Sequence, residues 1–315
     1  MPMQNDTPKV TIDELHAGRS RGACYRHIAS LDTIRFNTLT NHLVGERIMR
    51  KYDEIIDINR RNNGDWSETL HVVLFRFLGG KHNRTATERL AGIINSRMIM
   101  RENSSLTKIE ALLMGGAGLL DIYNSDDYIN LLRQEFNHMA TKYNITPMSH
   151  EEWQFSGMYH NNHPTLRIAQ IAACLHENKI SIPSITSCIT RSDVYNLFSG
   201  NASEYWMQQV LATNTFGSIT PRIGSFKSDI LGINLVVPMI YAYGTYIESQ
   251  ALVSRAMTLL HNIPAEDNRY TRLWSSHIPT PKSAVESQAF IQLSTVYCEM
   301  RRCDDCPLAK LLTYK

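Results

Sequence analysis

The sequence is poor in cysteine, with six in 315 residues, too few for a disulfide scaffold to organise a chain of this length. It has no uninterrupted apolar stretch near the ~18 residues a membrane-spanning helix needs. An excess of one charge sign is also missing. Lys and Arg number 32 against 30 Asp and Glu, a formal charge of +2, so nothing draws the whole chain toward polyanions. No paired period-2 runs flank an Asn-Gly or Asp-Gly turn, which removes the ordinary signature of a hairpin sheet. No G-x-x-x-x-G-K-[ST] loop and no G-x-S-x-G elbow occurs, so P-loop and α/β-hydrolase chemistry have no motif to rest on. Internal repeats and low-complexity tracts are absent as well.

The start of the chain, Met1 to Val10, is polar and lacks the apolar core of a secretory signal. The expected home is therefore the cytoplasm, with the thiols reduced. Residues 1–27 carry Lys9, Arg19, Arg21 and Arg26 and read as a polar tail. Two helical subdomains are expected after it, at 28–156 and 157–315.

What is present is helical grammar in a chain 43% apolar and 20% charged, an ordinary globular balance. Over Leu31–Arg61 the residues Ile34, Leu39, Leu43, Ile48 and Ile55 repeat at helical spacing, and Asn63-Gly64 breaks the pattern. Asp65 and Glu68 form a capping-box pair for a helix carrying Leu70, Val73, Leu74 and Phe77 that ends at Gly79-Gly80. Ser149 with Glu152 and Asn201 with Glu204 repeat the box, and Pro164, Pro183 and Pro281 suit first helical positions. The fold class expected is mostly α: a multi-helix, bundle-like array with a cysteine-containing C-terminal tail. The most apolar run, Ile230–Tyr243, is too short to span a bilayer. Within it Pro238 removes a bond to the Asn234 carbonyl, so a kinked core helix is expected, or a hinge with Asn234 serving the freed groups.

Cys298, Cys303 and Cys306 make a C-x4-C-x2-C cluster. Thiolates so close in sequence can converge on one metal with little loop entropy lost, and Arg301 and Arg302 beside them would lower their pKa values. The expectation is a zinc ion or an iron–sulfur cluster, with Cys24, Cys174, Cys188 or a histidine as fourth ligand; the alternative is a set of reduced, non-ligating thiols. The text from Cys298 to Leu312 resembles the iron–sulfur tail of endonuclease III-type DNA glycosylases. In this chain the first gap is shorter, and Leu312 replaces the last cysteine.

A second feature is the segment His163 to Cys174. On a helix starting at Pro164, His163, Arg167, Gln170 and Cys174 share one stripe among apolar neighbours. A buried guanidinium needs an anionic or carbonyl partner. Arg167 and Gln170 therefore either line a groove for phosphate or carboxylate, or Arg167 pairs with a structural carboxylate. His150, His160 and His163 lack an H-E-x-x-H arrangement and read as cap and loop residues. Gly115-Gly116-Ala117-Gly118 resembles the hairpin of helix-hairpin-helix DNA binders, but a helix C-terminus and turn explains it more simply.

Several segments in order are similar to a bacterial domain-of-unknown-function family, number 2851. They are Asp65 to Thr69, Ile109 to Gly115, Ala117 to Leu120, Pro164 to Gln170, Asn234 to Gly244, and Tyr297 to Cys306. The likeness covers about Cys24 to the C-terminus. It implies that the family's additional N-terminal region, with a pattern like restriction-endonuclease folds, is represented at most by the residues before Cys24. Where relatives carry Arg-Pro-x-Asn-Phe before Pro-Thr, this chain has Tyr159-His160-Asn161-Asn162-His163. No activity follows from the resemblance. The expected roles are a nucleic-acid-associated helical module with a metal-stapled C-terminus, resting on Arg301, Arg302, Lys310 and the basic stretch Arg19–Arg26, or a helical protein-interaction or scaffold domain with no catalytic activity. An enzyme with a cleft at Arg167, Gln170 and Asn234 ranks third.

Overall fold

The computed structural model describes residues 21–157, 159–212, 219–276, 278 and 280–313. Their helices are, in order, α1 Arg21–Ser30, α2 Thr33–Arg61, α3 Trp66–Leu78, α4 Arg84–Ile93, α5 Ser96–Glu102, α6 Leu106–Gly116 and α7 Asp127–Tyr143. There follow α8 Pro164–His176, α9 Ile182–Thr186, α10 Arg191–Leu197, α11 Glu204–Ala212, α12 Ser225–Leu231, α13 Val237–Tyr246 and α14 Gln250–Asn262. The chain closes with α15 Arg269–Ser275, α16 Ala284–Gln292 and α17 Pro307–Thr313. Among the described residues there is no strand, only an isolated antiparallel bridge between Pro264 and Ser283. The mostly α reading holds. Among them, too, no helix is long and apolar enough to cross a membrane. Residues 1–20 of the polar segment, with Lys9 and Arg19, lie outside the described residues.

The chain divides into two compact units, and the division is not sequential. One unit runs from Tyr52 to Leu259; the other joins the residues up to Lys51 with those from Leu260 onward.

In the Tyr52–Leu259 unit, α8 is buried along its whole length from Pro164 to Cys174. That is the expected consequence of an apolar helix packed on several sides. Helix α6, buried from Ile109 to Gly116, packs on both α7 and α8, and α11 packs on α8. The α6 terminus needs its glycines. A Cβ on Gly115 would strike the Phe136 ring at 2.1 Å, and Gly118, at φ +67°, would meet the Met148 carbonyl at 2.1 Å. The turn reading of Gly115 to Gly118 is therefore correct for steric reasons.

The Pro238 run is not a simple kink. A π-helical turn, Gly232–Val236, precedes α13, and the Val237 N–H donates to the Gly232 carbonyl. The Asn234 side chain donates to the Ile230 carbonyl at 2.9 Å, serving a backbone group near the altered ladder.

In the other unit, Trp274 stacks on Phe290 at 5.6 Å and Tyr25 meets Trp274 edge-on at 4.9 Å. Leu39 and Leu43 of α2 join this core, and α17 packs on α1. Ile34 does not: it is 79% exposed, because its position in the first turn of α2 faces away from that cluster.

Other local signals shift by a few residues. Asp65 caps α3 as expected, but Glu68 does not reach back; it accepts instead from the Ser96 N–H at 2.8 Å. The Ser149–Glu152 box is complete, yet opens only a single 3-10 turn. Helix α11 begins at Glu204 itself, so Ser203 rather than Asn201 precedes it. Pro164 and Pro183 stand in the first turns of α8 and α9, whereas Pro281 lies in the loop before α16.

Candidate functional site

Helix α8 brings Arg167 and Gln170 together one turn apart, as their spacing requires. The Arg167 side chain donates from Nη1 to the Gln170 amide oxygen at 2.9 Å and from Nη2 to the Asn162 amide oxygen at 2.9 Å. Asn162 closes the single 3-10 turn His160–Asn162 just before the helix. Gln170 in turn donates to the Thr220 carbonyl at 3.0 Å, and the Thr220 N–H donates to the Asn161 side chain at 3.1 Å. A network of neutral amides thus holds the guanidinium.

Arg167 is only 6% exposed, and its Nε is buried without a hydrogen-bond partner. Among the described residues no carboxylate pairs with it, so the structural ion pair considered from sequence is not the arrangement found. A second cation lies nearby. Lys227 of α12 donates from Nζ to the Phe77 carbonyl at 2.7 Å, at the end of α3. Burial, with the charge of Arg167 behind it, pulls the Lys227 ammonium down to about 7. Burial alone pulls Arg167 down to about 10, which leaves it charged at neutral pH. His163, buried at the N-cap of α8, packs its ring 5.5 Å from Phe155. Nothing in the text around Lys227, Ser225-Phe226-Lys227-Ser228, marks it out as a partner of Arg167.

Glu110 is a further titratable group missed from sequence. It is fully buried in α6 and accepts a hydrogen bond from the Tyr128 hydroxyl. Burial pushes its carboxyl above the usual range, against the lowering effect of Tyr128, Trp206 and Ser203. The available signal was a lone acid inside the apolar run Ile109 to Met114.

Arg301 and Arg302 belong to the other unit, not to that of Arg167 and Gln170. Arg301 is exposed at φ +53°. Arg302 donates to Asp305 at 3.0 Å and lies over the Tyr297 ring at 5.6 Å. One face or groove combining all four proposed binding residues is not something the fold of either unit supplies.

Cys298 ends a second π-helical turn, Leu293–Cys298, and Cys306 immediately precedes α17. Cys298, Cys303 and Cys306 all pack in the cluster around Trp274 and Leu308, and Cys24 of α1 joins them there. All six cysteines are free of disulfides. The expected lowering by Arg301 and Arg302 is not found at Cys306, whose thiol is raised because burial dominates. Cys24 is pushed up to about 11 by burial and by the neighbouring Cys306 and Cys303. Cys174 and Cys188 are buried in the Tyr52–Leu259 unit. As the side chains stand, no group of three His, Cys, Asp or Glu among the described residues could hold a single metal ion.

Comparison with known proteins gives one finding. The family model described as protein of unknown function (DUF2851) matches residues 4–269, beginning before the Cys24 boundary drawn from the motifs and ending before the cysteine tail. No curated protein and no solved structure matches the chain. With most of its length covered, from the α3 cap through the Arg167 helix to the Pro238 run, the chain belongs to the DUF2851 family.

Proposed function

We propose that this protein binds a small anion, a phosphate or carboxylate group, at Arg167. The observation that carries the reading is a pair of neighbouring cations, Arg167 and Lys227, held by neutral amides and a carbonyl, with no carboxylate partner for either among the described residues. An uncompensated guanidinium in a protein interior is costly, and an incoming anion would remove that cost while engaging the unpartnered Nε. Gln170 and Asn162 fix the guanidinium plane, and Lys227 adds a second positive charge nearby. The nucleic-acid reading of the sequence enters here only as one carrier of phosphate. A guanidinium so enclosed suits a small or terminal anion better than the backbone of a duplex.

Calorimetric titration of the full chain with sulfate, inorganic phosphate, a nucleoside monophosphate, citrate and short DNA tests the proposal. At least one small anion is expected to bind, and Arg167→Gln is expected to weaken it by about tenfold or more, the scale of a lost charged hydrogen bond. Sulfate keeps its charge across neutral pH, so its affinity should fall as Lys227 loses its proton between about pH 6 and about pH 8. Binding unaffected by Arg167→Gln, or no binding by any anion of the set, would refute the reading. DNA binding without any small-anion binding would do the same.

A further inference from the structure

We propose that the Tyr52–Leu259 unit holds a further ligand site, for an uncharged organic molecule with an apolar body and one hydroxyl or N–H group. A cavity of about 280 Å³ opens between α3, α5, the end of α8 and the turn into α9. All of its walls belong to this one unit. Much of the lining is aliphatic: Leu70 and Leu74 of α3 and Ile99 of α5 are buried there, and Leu175 and Ile182 add to it. Space left open among such side chains forfeits the contacts that a filled core would give them. A cavity of ~150 Å³ takes a benzene ring, so this one has room for a body of about ten to twelve non-hydrogen atoms. Arg167 and Lys227 are not among its lining residues, and the site is independent of anion binding at Arg167.

The polar groups of the wall set the ligand's chemistry. Among the described residues that line the cavity there is no Asp, Glu, Lys or Arg. An ionised ligand would therefore lose its water with no counter-charge to replace it. His71 lines the cavity from α3. Its Nε2 lies 2.7 Å from the Ile94 carbonyl, which can only accept, so the hydrogen sits on Nε2 and Nδ1 is left as an acceptor. Burial holds this imidazole below its ordinary value and keeps it uncharged at neutral pH. Ser96, the first residue of α5, also lines the cavity, and its hydroxyl is buried with no hydrogen-bond partner. Serine reaches its other rotamers by a turn about one bond, and a ligand's oxygen or nitrogen would give that hydroxyl the partner it lacks. The wall is braced, because the Asn103 amide donates to the His176 carbonyl at 3.2 Å and to the Asn178 side chain at 3.3 Å. These bonds tie the end of α5 to the end of α8, and a pocket fixed in this way needs little ordering to bind. Met100, 70% exposed, is the adaptable residue of the lining.

Titration of the full chain with β-naphthol, naphthalene and β-naphthoate, followed by methyl and imidazole nitrogen resonances, tests the proposal. The probes share one ring body and differ in the group it carries: a hydroxyl, none, or a carboxylate. β-Naphthol is expected to move the methyl signals of Leu70, Leu74 and Ile99 together with the Nδ1 signal of His71, and to raise the melting temperature in step with its concentration. Naphthalene should move the same methyl signals but not His71 Nδ1, and bind about threefold to tenfold more weakly, the scale of one neutral hydrogen bond. β-Naphthoate should bind about tenfold more weakly than β-naphthol, or less tightly still, because its charge is left unpaired. Ser96→Ala should reduce the advantage of β-naphthol over naphthalene, with circular dichroism checking that the variant is folded. The resonances of the unaltered chain need no variant. The proposal is overturned if no probe moves these methyl signals, or if β-naphthoate binds as well as β-naphthol. It is equally overturned if β-naphthol binds with His71 Nδ1 unmoved, or with an advantage over naphthalene that Ser96→Ala leaves intact.

Discussion

At the scale of single residues, the chemistry of this protein lies in polar groups that folding has moved away from water. Glu110 offers a direct measure of that cost. Its carboxyl is raised above the ordinary 4.5 by burial. From that value up to the raised one, the folded chain holds a proton that the unfolded chain has released, so Glu110 subtracts stability as pH rises through this window. Glu110→Gln keeps the shape and the Tyr128 contact and removes the titration. Relative to the unaltered protein, it should therefore be more stable at about pH 8 than at about pH 5, as urea midpoints would show. Parallel pH profiles for the two proteins would contradict this. Lys227 works in the opposite direction. Between about 7 and its ordinary 10.5 the unfolded chain binds the extra proton, so stability contributed at this site rises with pH.

At the scale of elements, the turns carry the constraint. Gly118 combines a positive φ with a backbone contact that leaves no room for a methyl group. Gly118→Ala should cost about 1–3 kcal/mol or more, the range for a strained backbone position, and lower the melting temperature by several degrees. Gly45, with nothing near its Cβ, is the control: Gly45→Ala in the middle of α2 should be neutral or stabilising. A thermal melt of the two variants side by side distinguishes a steric requirement from generic helix propensity. The two π-helical turns, one before α13 and one ending at Cys298, are the elements the sequence did not announce beyond Pro238. Periodicity over ten or so residues does not distinguish an i→i−5 turn from an α-helical one. The extra residue is fixed by what the helix packs against.

At the scale of the whole molecule, the discontinuous unit makes its own prediction. Leu308 of α17 is buried in the cluster with Ile28, Trp274 and Phe290. Leu308→Ala should cost about 2–5 kcal/mol, as truncations of buried leucines do. Faster hydrogen exchange is expected in α1, α15, α16 and α17, with α6 and α8 of the Tyr52–Leu259 unit keeping their protection. Uniform acceleration across both units would show that they unfold as one.

The sequence by itself determined the helical class, the breaks at Asn63-Gly64, Gly79-Gly80 and Gly118, and the polar stripe of α8, because these follow from local spacing and backbone stereochemistry. Only part of the site was legible there. Arg167 and Gln170 announced themselves as polar residues in an apolar helix, and the tail cysteines as a cluster in sequence. That no carboxylate among the described residues meets Arg167, that Lys227 stands near it, that Arg301 and Arg302 belong to another unit, and that Cys24 joins the tail cysteines in one apolar cluster were decided by the tertiary structure alone. These are juxtapositions of segments 60 to 282 residues apart. Their positions come from how apolar faces bury against one another, which no local pattern encodes.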